Sequence, residues 1–510
     1  MFQVDSLYQR YPALRSAMLI PMLLIGLVGM LGLIMLGQAF LATAIILTAL
    51  LTLAILAWPE LGTLVVVFVL FTNAAVIAVK FHNVPSLIGA ALPALLVFPL
   101  ATNLVFRREK LVVSPILLPI FLFLAVQVVS ALFSDYKGTS IDNVQTFVLE
   151  GLGLFFLLTN VVRTPETLRR VTWALLIAGA LIGGLSVYQQ ITKTFDNTYW
   201  GFAQPSEAVF NAGAKDAITG AVNQWRLAGQ IGEKNRYAQV MLMLVPLGMF
   251  RVWGERKLTL RALAGLCTAL SAAGAALAFS RGAAVGFVLM LVIMVFMRYI
   301  KIYQVLLIAL GLYLLLLALP QYRDRLVSLQ GFSALFSDGT EAVGSSDGAT
   351  LSRLTEMGAA GLVFLDHPVI GVGPGTFPNY YQQYSELIGL RTLNADRQAH
   401  DLYLSIAAET GIAGLACFLM VLYVTLMGLA RARKRWLTAD PEIANMATAY
   451  MLSIVTYLTT GVFLHFAFIR YFWMFIALAG AVVYIASQRE QHVAVAESEA
   501  TMPNAALVRA

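Results

Sequence analysis

Few residues in this sequence are able to do chemistry on a charged substrate, and their rarity makes them conspicuous: of 510 residues, 59% are apolar and 12% charged. Arg281, in Ser280-Arg281-Gly282, is the sole charge in a very short turn between two apolar blocks, and Arg353 stands near Glu356 in a polar stretch. His400 and Asp401 open another apolar block, where Ser405 and Glu409 follow Asp401 at i+4 and i+8 and form one polar stripe on a helix. Arginine presents paired planar donors to phosphate and stays charged, so two of them would stabilise a diphosphate leaving group as its charge develops. A histidine titrating near the ambient pH would take the proton from an attacking hydroxyl. The set suits glycosyl transfer from a polyprenyl diphosphate. Transporters use the same residue types, so a transporter or flippase of an anion or lipid-linked glycan is the alternative.

Each residue also has a structural reading. An outer arginine commonly anchors a helix at the headgroups or pairs on the surface. Arg470, flanked by Phe468, Tyr471, Phe472 and Trp473, fits an aromatic belt of that kind. Glu409 is either a working intramembrane acid or a brace to a neighbouring helix, and Glu150, with no such stripe around it, reads as a structural partner. The sequence has no Asp-x-Asp, His-x-x-x-His or Glu-x-x-x-His pair, and Cys267 and Cys417 both lie in apolar blocks, so no metal, cofactor or disulfide framework is expected.

The elements that must position these residues are membrane helices, and the fold class is all-α, a polytopic helical membrane protein. Apolar blocks of about 20 residues, the length that spans a hydrocarbon layer of about 30 Å, recur along the chain. Fourteen are counted: seven in residues 1–191, four in 237–319 and three in 401–487, with polar loops at 192–236 and 320–400 and a cytoplasmic tail at 488–510. The blocks beginning at Tyr237, Gly282 and Tyr471 are short, so twelve or thirteen spans are the alternatives. The first block, after Arg10 and Arg15, reads as a retained span rather than a cleaved signal.

Sorting the 34 basic residues onto alternate sides puts 20 on the side of the N-terminus, four (Lys80, Lys137, Arg281, Arg470) in short turns on the other, and ten in the two long loops. Positive residues in short loops stay inside, so both termini are expected in the cytoplasm and both long loops outside. The 320–400 loop is too long for a structureless connection and reads as functional. Within it Leu351, Leu354, Met357, Gly361 and Phe364 share a face, which predicts a short surface helix ended by Pro368 and a tight turn at Gly371-Val372-Gly373-Pro374-Gly375. That turn lacks a following Lys-Ser or Lys-Thr and is not read as a phosphate loop. Of five histidines, four (His82, His367, His400 and His465) fall at the outer face, and His400 is singled out because a helix holds it at the surface while the loop is able to cover it.

Read as a pattern, the sequence resembles the O-antigen ligase and polymerase superfamily. The resemblance rests on Gly232-Glu233-Lys234-Asn235-Arg236-Tyr237-Ala238, Phe279-Ser280-Arg281-Gly282-Ala283, Ser352-Arg353 leading through His367-Pro368 to Gly375, and His400-Asp401-Leu402 with Glu409-Thr410-Gly411, in that order. It covers roughly half the chain, from Arg226 to Arg470; Glu233-Lys234-Asn235 stands where the family more often has Asp-Pro-Asn. It implies a fold similar to the lipid-phosphate-dependent membrane glycosyltransferases and a metal-independent, inverting glycosyltransferase of surface polysaccharide assembly, lipopolysaccharide or exopolysaccharide. Such an enzyme moves an undecaprenyl-diphosphate-linked glycan to a sugar hydroxyl at the periplasmic face of a bacterial inner membrane. The loops and span count lean towards a polymerase over a ligase acting on a lipid A-core acceptor. By resemblance Arg281 and Arg353, with Arg226 as a weaker match, contact the diphosphate. His400 is the base or orients the acceptor, with Glu409 as a second catalytic candidate and Arg470, Asp401 and Asn235 as additional ones. The partners implied are the donor, a glycan or lipid-linked acceptor, the bilayer and a chain-length regulator protein, with no nucleic acid.

Overall fold

The computed structural model of the chain describes residues 54–55, 57–86, 89, 92–204, 225–318, 348–389, 396–467 and 469–501. The blocks expected at Ser16–Leu36 and, for most of its length, Ala39–Ala57 lie outside them. Every regular element among the described residues is a helix: α1 (Pro59–Thr72), α2 (Ala74–His82), α3 (Leu92–Phe106), α4 (Leu117–Phe133), α5 (Lys137–Val161), α6 (Pro165–Thr192), α7 (Lys234–Gly254) and α8 (Leu258–Leu277). There follow α9 (Arg281–Phe296), α10 (Ile302–Ala318), α11 (Gly348–Asp366), α12 (Phe377–Ile388), α13 (Leu402–Trp436), α14 (Pro441–Gly461) and α15 (Ile469–Thr501).

The chain divides into two compact units. The first takes in residues 1–66 and 91–111. Its α3 passes from 3-10 through α to π geometry, and Pro93 and Pro99 each remove a donor from the ladder there.

The second unit, residues 67–90 and 112–510, carries every candidate residue. Its helices begin where side chains satisfy the first free N–H groups: Thr164 on Thr167 N at 3.2 Å, Glu233 on Arg236 N at 2.6 Å, Asp401 on Leu404 N at 2.7 Å. The chain is a multi-pass membrane protein. Among the described residues α5, α6, α7, α8, α13 and the apolar part of α15 are long and apolar enough to cross a membrane, and α1 with α2, bent by 58° at Asn73, would make a seventh. Of the other seven of the fourteen blocks, the first two lie outside the described residues for all or most of their length, α3, α4, α9 and α10 are short helices, the last three of 17, 16 and 17 residues, and α14 does not pass on composition.

Helices α7 and α15 sit at the centre, with 78% and 83% of their apolar windows buried against 28% for α8, which faces outward. Polar links tie the centre together: Ser453 Oγ donates to Met243 O at 2.7 Å and Gln239 Nε2 to Tyr457 O at 3.1 Å, joining α7 to α14. On α6, Gly183 lets α8 approach so closely that a Cβ there would lie 2.2 Å from Leu270 O. At one end of the bundle Glu255 gathers Arg169, Trp173 and Arg251, and Arg251 also reaches Glu442 at 3.7 Å. The opposite ends of α7, α9, α13, α14 and α15 carry the candidate residues.

Candidate functional site

The 320–400 loop is not a floating surface helix. Its α11 and α12 pack on each other and on α13 around Ala359, Val363, Phe377, Tyr381 and Ala408. Glu356, on the side of α11 that the pattern reads as polar, is fully buried. Two residues from the end of the same loop meet it: Arg397 Nε donates to Glu356 Oε1 at 2.7 Å, and His400 Nδ1 lies 2.9 Å from Oε2. The ring N–H of His400 is aimed at the Gln398 carbonyl, 3.1 Å away, so the nearby carboxylate acts on it as a charge rather than through a lined-up hydrogen bond. Both neighbours favour a proton on Nδ1, which leaves Nε2 as the acceptor. His400 itself has φ of +50°, a left-handed conformation that costs a non-glycine residue about 1–3 kcal/mol and persists where surrounding contacts fix it. Arg353 stands one turn before Glu356 on α11, half-buried.

The glycine-rich turn has a definite task. Helix α13 breaks at Gly411, with φ 66° and ψ −168°, and the turn supplies what the break leaves unmade. Val372 N donates to Ala408 O at 3.0 Å and Gly373 N to Glu409 O at 2.9 Å, while Ile412 N and Ala413 N donate back to Pro368 O and Val369 O at 2.8 and 3.3 Å. A Cβ on Gly411 would sit 2.3 Å from the Val369 carbonyl carbon, so only glycine fits this crossing. Gly411 is therefore a break filled by the loop. The Glu409 carboxylate meets the backbone N–H groups of Gly375 and Phe377, at the start of α12. It lies roughly 12 Å along the helix from Asp401. Asp401 caps α13.

Arg281 is the first residue of α9, half-buried, behind the capping Ser280. A Cβ on the next residue, Gly282, would come within 3.1 Å of Phe463, two residues before His465. Arg226 holds this turn from behind: Nε donates to Ala278 O at 2.9 Å and Nη2 to Phe279 O at 3.1 Å, carbonyls that follow the end of α8, and Nη2 also reaches Asn235 Oδ1 at 3.0 Å. Asn235 in turn donates to Glu233. Arg226 and Asn235 thus shape the turn bearing Arg281. Arg470 belongs to a different group, with Nη1 on Glu150 Oε1 at 3.1 Å and Nη2 on Asn73 Oδ1 at 2.6 Å; Arg470 and Asn73 are buried at the α1–α2 bend and Glu150 is half-buried.

Sequence reasoning misses three members of the site. Arg236, 2% exposed, donates to the His465 carbonyl at 2.5 Å and to Gln239 at 3.1 Å. The His465 ring lies 5.9 Å from that of His400, and Arg397 completes the Glu356 cluster. Arg236 carries a usable sign, a charge three residues into a long apolar helix, and His465 is visible only as one of four histidines at the outer face.

His465 Nδ1 is buried with no hydrogen-bond partner among the described residues. Burial, then the charges of Arg236 and His400, hold its imidazole well below the ordinary value of 6.5. The unfolded chain takes up this proton first, so stability is fully present above the ordinary value and falls as the pH drops below it. We expect the melting temperature in detergent to fall between about pH 7 and about pH 5, and His465→Gln to flatten part of that fall. An identical slope in the variant would contradict this account.

Residues 266–419 match the family model described as O-antigen ligase. No curated protein matches the chain. The matched segment contains Arg281, Arg353, Glu356, Arg397, His400 and Glu409; Arg226, Asn235, Arg236, His465 and Arg470 lie outside it.

Proposed function

We propose that this chain, whose residues 266–419 match the O-antigen ligase family model, is a member of the O-antigen ligase and polymerase superfamily and transfers an undecaprenyl-diphosphate-linked oligosaccharide to a sugar hydroxyl. The observation that carries the reading is the Glu356–His400 pair, 2.9 Å apart, inside the segment that also brings Arg353 and Arg281. The acceptor hydroxyl attacks the anomeric carbon of the donor, its proton passes to His400 Nε2, and the bond from that carbon to the diphosphate oxygen breaks. Glu356 stabilises the imidazolium that forms, as a charge in a site shielded from water. Arg281 and Arg353 meet the charge growing on the departing lipid diphosphate. One displacement of this kind inverts the anomeric configuration.

In this reading the enzyme lies in a bacterial inner membrane with both termini in the cytoplasm and His400 at the periplasmic face, and polymerisation is favoured over ligation. Purified protein in proteoliposomes, given lipid-linked repeat alone, is expected to make a ladder of products. Products formed only when a lipid A-core acceptor is added would assign ligation instead, and no new glycosidic bond under either condition would overturn the function.

A further inference from the structure

Apart from the His400 group, a cavity of about 560 Å³ opens between α2 and the turn after α6, lined by Phe81, His82, Asn197, Thr198, Tyr199 and Trp200. We propose that it is a carbohydrate subsite, in which the Trp200 indole stacks on a sugar ring of the glycan being transferred or extended; this rests on the transfer reading above. The volume falls within the roughly 300–1,000 Å³ of small-molecule sites. Among the described residues none that lines it is Arg, Lys, Asp or Glu, so the cavity suits an uncharged polyhydroxyl ligand rather than a phosphate.

The backbone here is built to hold Trp200 outward. Trp200 is 77% exposed, yet it and Tyr199 both have left-handed φ, 57° and 46°, which bulky residues adopt only where contacts over-determine them. Those contacts are present. Asn197 Oδ1 accepts from Tyr199 N at 2.8 Å, the Tyr199 hydroxyl bonds Thr194 at 2.5 Å, Thr198 O accepts from Gly201 N and Ala203 N at 2.9 Å each, and His82 Nε2 contacts Trp200 O at 3.0 Å. An aromatic ring that merely anchors a helix among lipid headgroups needs neither a rigid, strained turn nor a cavity beside it. A ring fixed in this way offers a flat apolar face for sugar C–H bonds and an N–H donor at its edge, at little cost in conformational entropy.

The turn is also continuous with the loop of the candidate site. Gln204 N donates to Gly229 O at 2.8 Å and its side chain to Gln230 O at 3.1 Å, just ahead of Glu233 and Arg236. Phe195, at the start of the turn, stacks on Trp225 beside Arg226, with ring centroids 5.5 Å apart.

The test uses full-length protein and the free oligosaccharide released by mild acid from the lipid-linked repeat. Trp200→Gly removes the ring while suiting the left-handed backbone, and Trp200→Phe keeps a smaller stacking face. Saturation-transfer NMR should show the oligosaccharide bound to the wild type, weakly to Trp200→Phe and not to Trp200→Gly. KM for lipid-linked repeat should rise about tenfold in Trp200→Gly with kcat nearly unchanged, the size of one lost aromatic contact. Unchanged binding and KM would overturn the subsite, as would a variant altered only in melting temperature or membrane insertion, which would mark Trp200 as a headgroup anchor. If the wild type binds the sugar through Trp200 yet forms no glycosidic bond, the subsite stands and the transfer reading falls.

Discussion

His400→Ala should lower the single-turnover rate of glycan transfer by about 10²- to 10⁴-fold, the usual contribution of a positioned general base. The variant should insert in the membrane as the wild type does; alanine keeps a Cβ, so the left-handed strain at φ +50° stays in place. Glu356→Gln separates the chemical role from the steric one. It keeps an acceptor for Arg397 Nε but removes the negative charge 2.9 Å from His400 Nδ1. The imidazolium that forms loses its counter-charge, so kcat should fall by a smaller factor than in His400→Ala. A His400→Ala enzyme with near-normal turnover would remove the histidine from the mechanism, and an unchanged kcat in Glu356→Gln would leave Glu356 with packing alone.

Arg281→Ala is the second large effect, about 10²- to 10³-fold in rate, the scale of one lost stabilising contact to developing charge. Arg281→Lys should recover only part, since an ammonium cannot present two parallel N–H donors to phosphate oxygens. Arg226→Ala offers the contrast. Its hydrogen bonds run to the Ala278 and Phe279 carbonyls, so its loss should loosen the turn that holds Arg281 and lower thermal stability as well as rate. Full activity in Arg281→Ala, measured at saturating donor, would exclude it from the leaving-group site.

The sequence made some of this visible and hid the rest for physical reasons. Hydropathy finds α5, α6, α8 and α13 readily, because long unbroken apolar runs have few other uses. It shortens α7, whose first turn, Lys234-Asn235-Arg236, is polar but buried and bonded to Glu233, Gln239 and His465. Charge scarcity points to Arg281, Arg353 and His400 one at a time. It cannot show that Glu356 binds His400, since the two are 44 positions apart and meet only when α11 folds onto α13. Nor does periodicity reveal the break at Gly411, because a helix that borrows hydrogen bonds from a distant turn has the same apolar pattern as one that does not.

That borrowing bears on how the protein is made. Roughly 13 Å from its start, α13 has carbonyl and N–H groups that only Pro368 to Gly373 satisfy, and each would cost several kcal/mol if left bare in lipid. The segment that satisfies them precedes α13 in the chain. A ribosome therefore delivers the turn before the helix that needs it, and α13 reaches its final hydrogen-bonded form only once that turn has docked against it. Docking of the turn is then a prerequisite for completing the span, and lesions at Gly371 or Gly411 belong with defects of folding and turnover rather than with defects of chemistry.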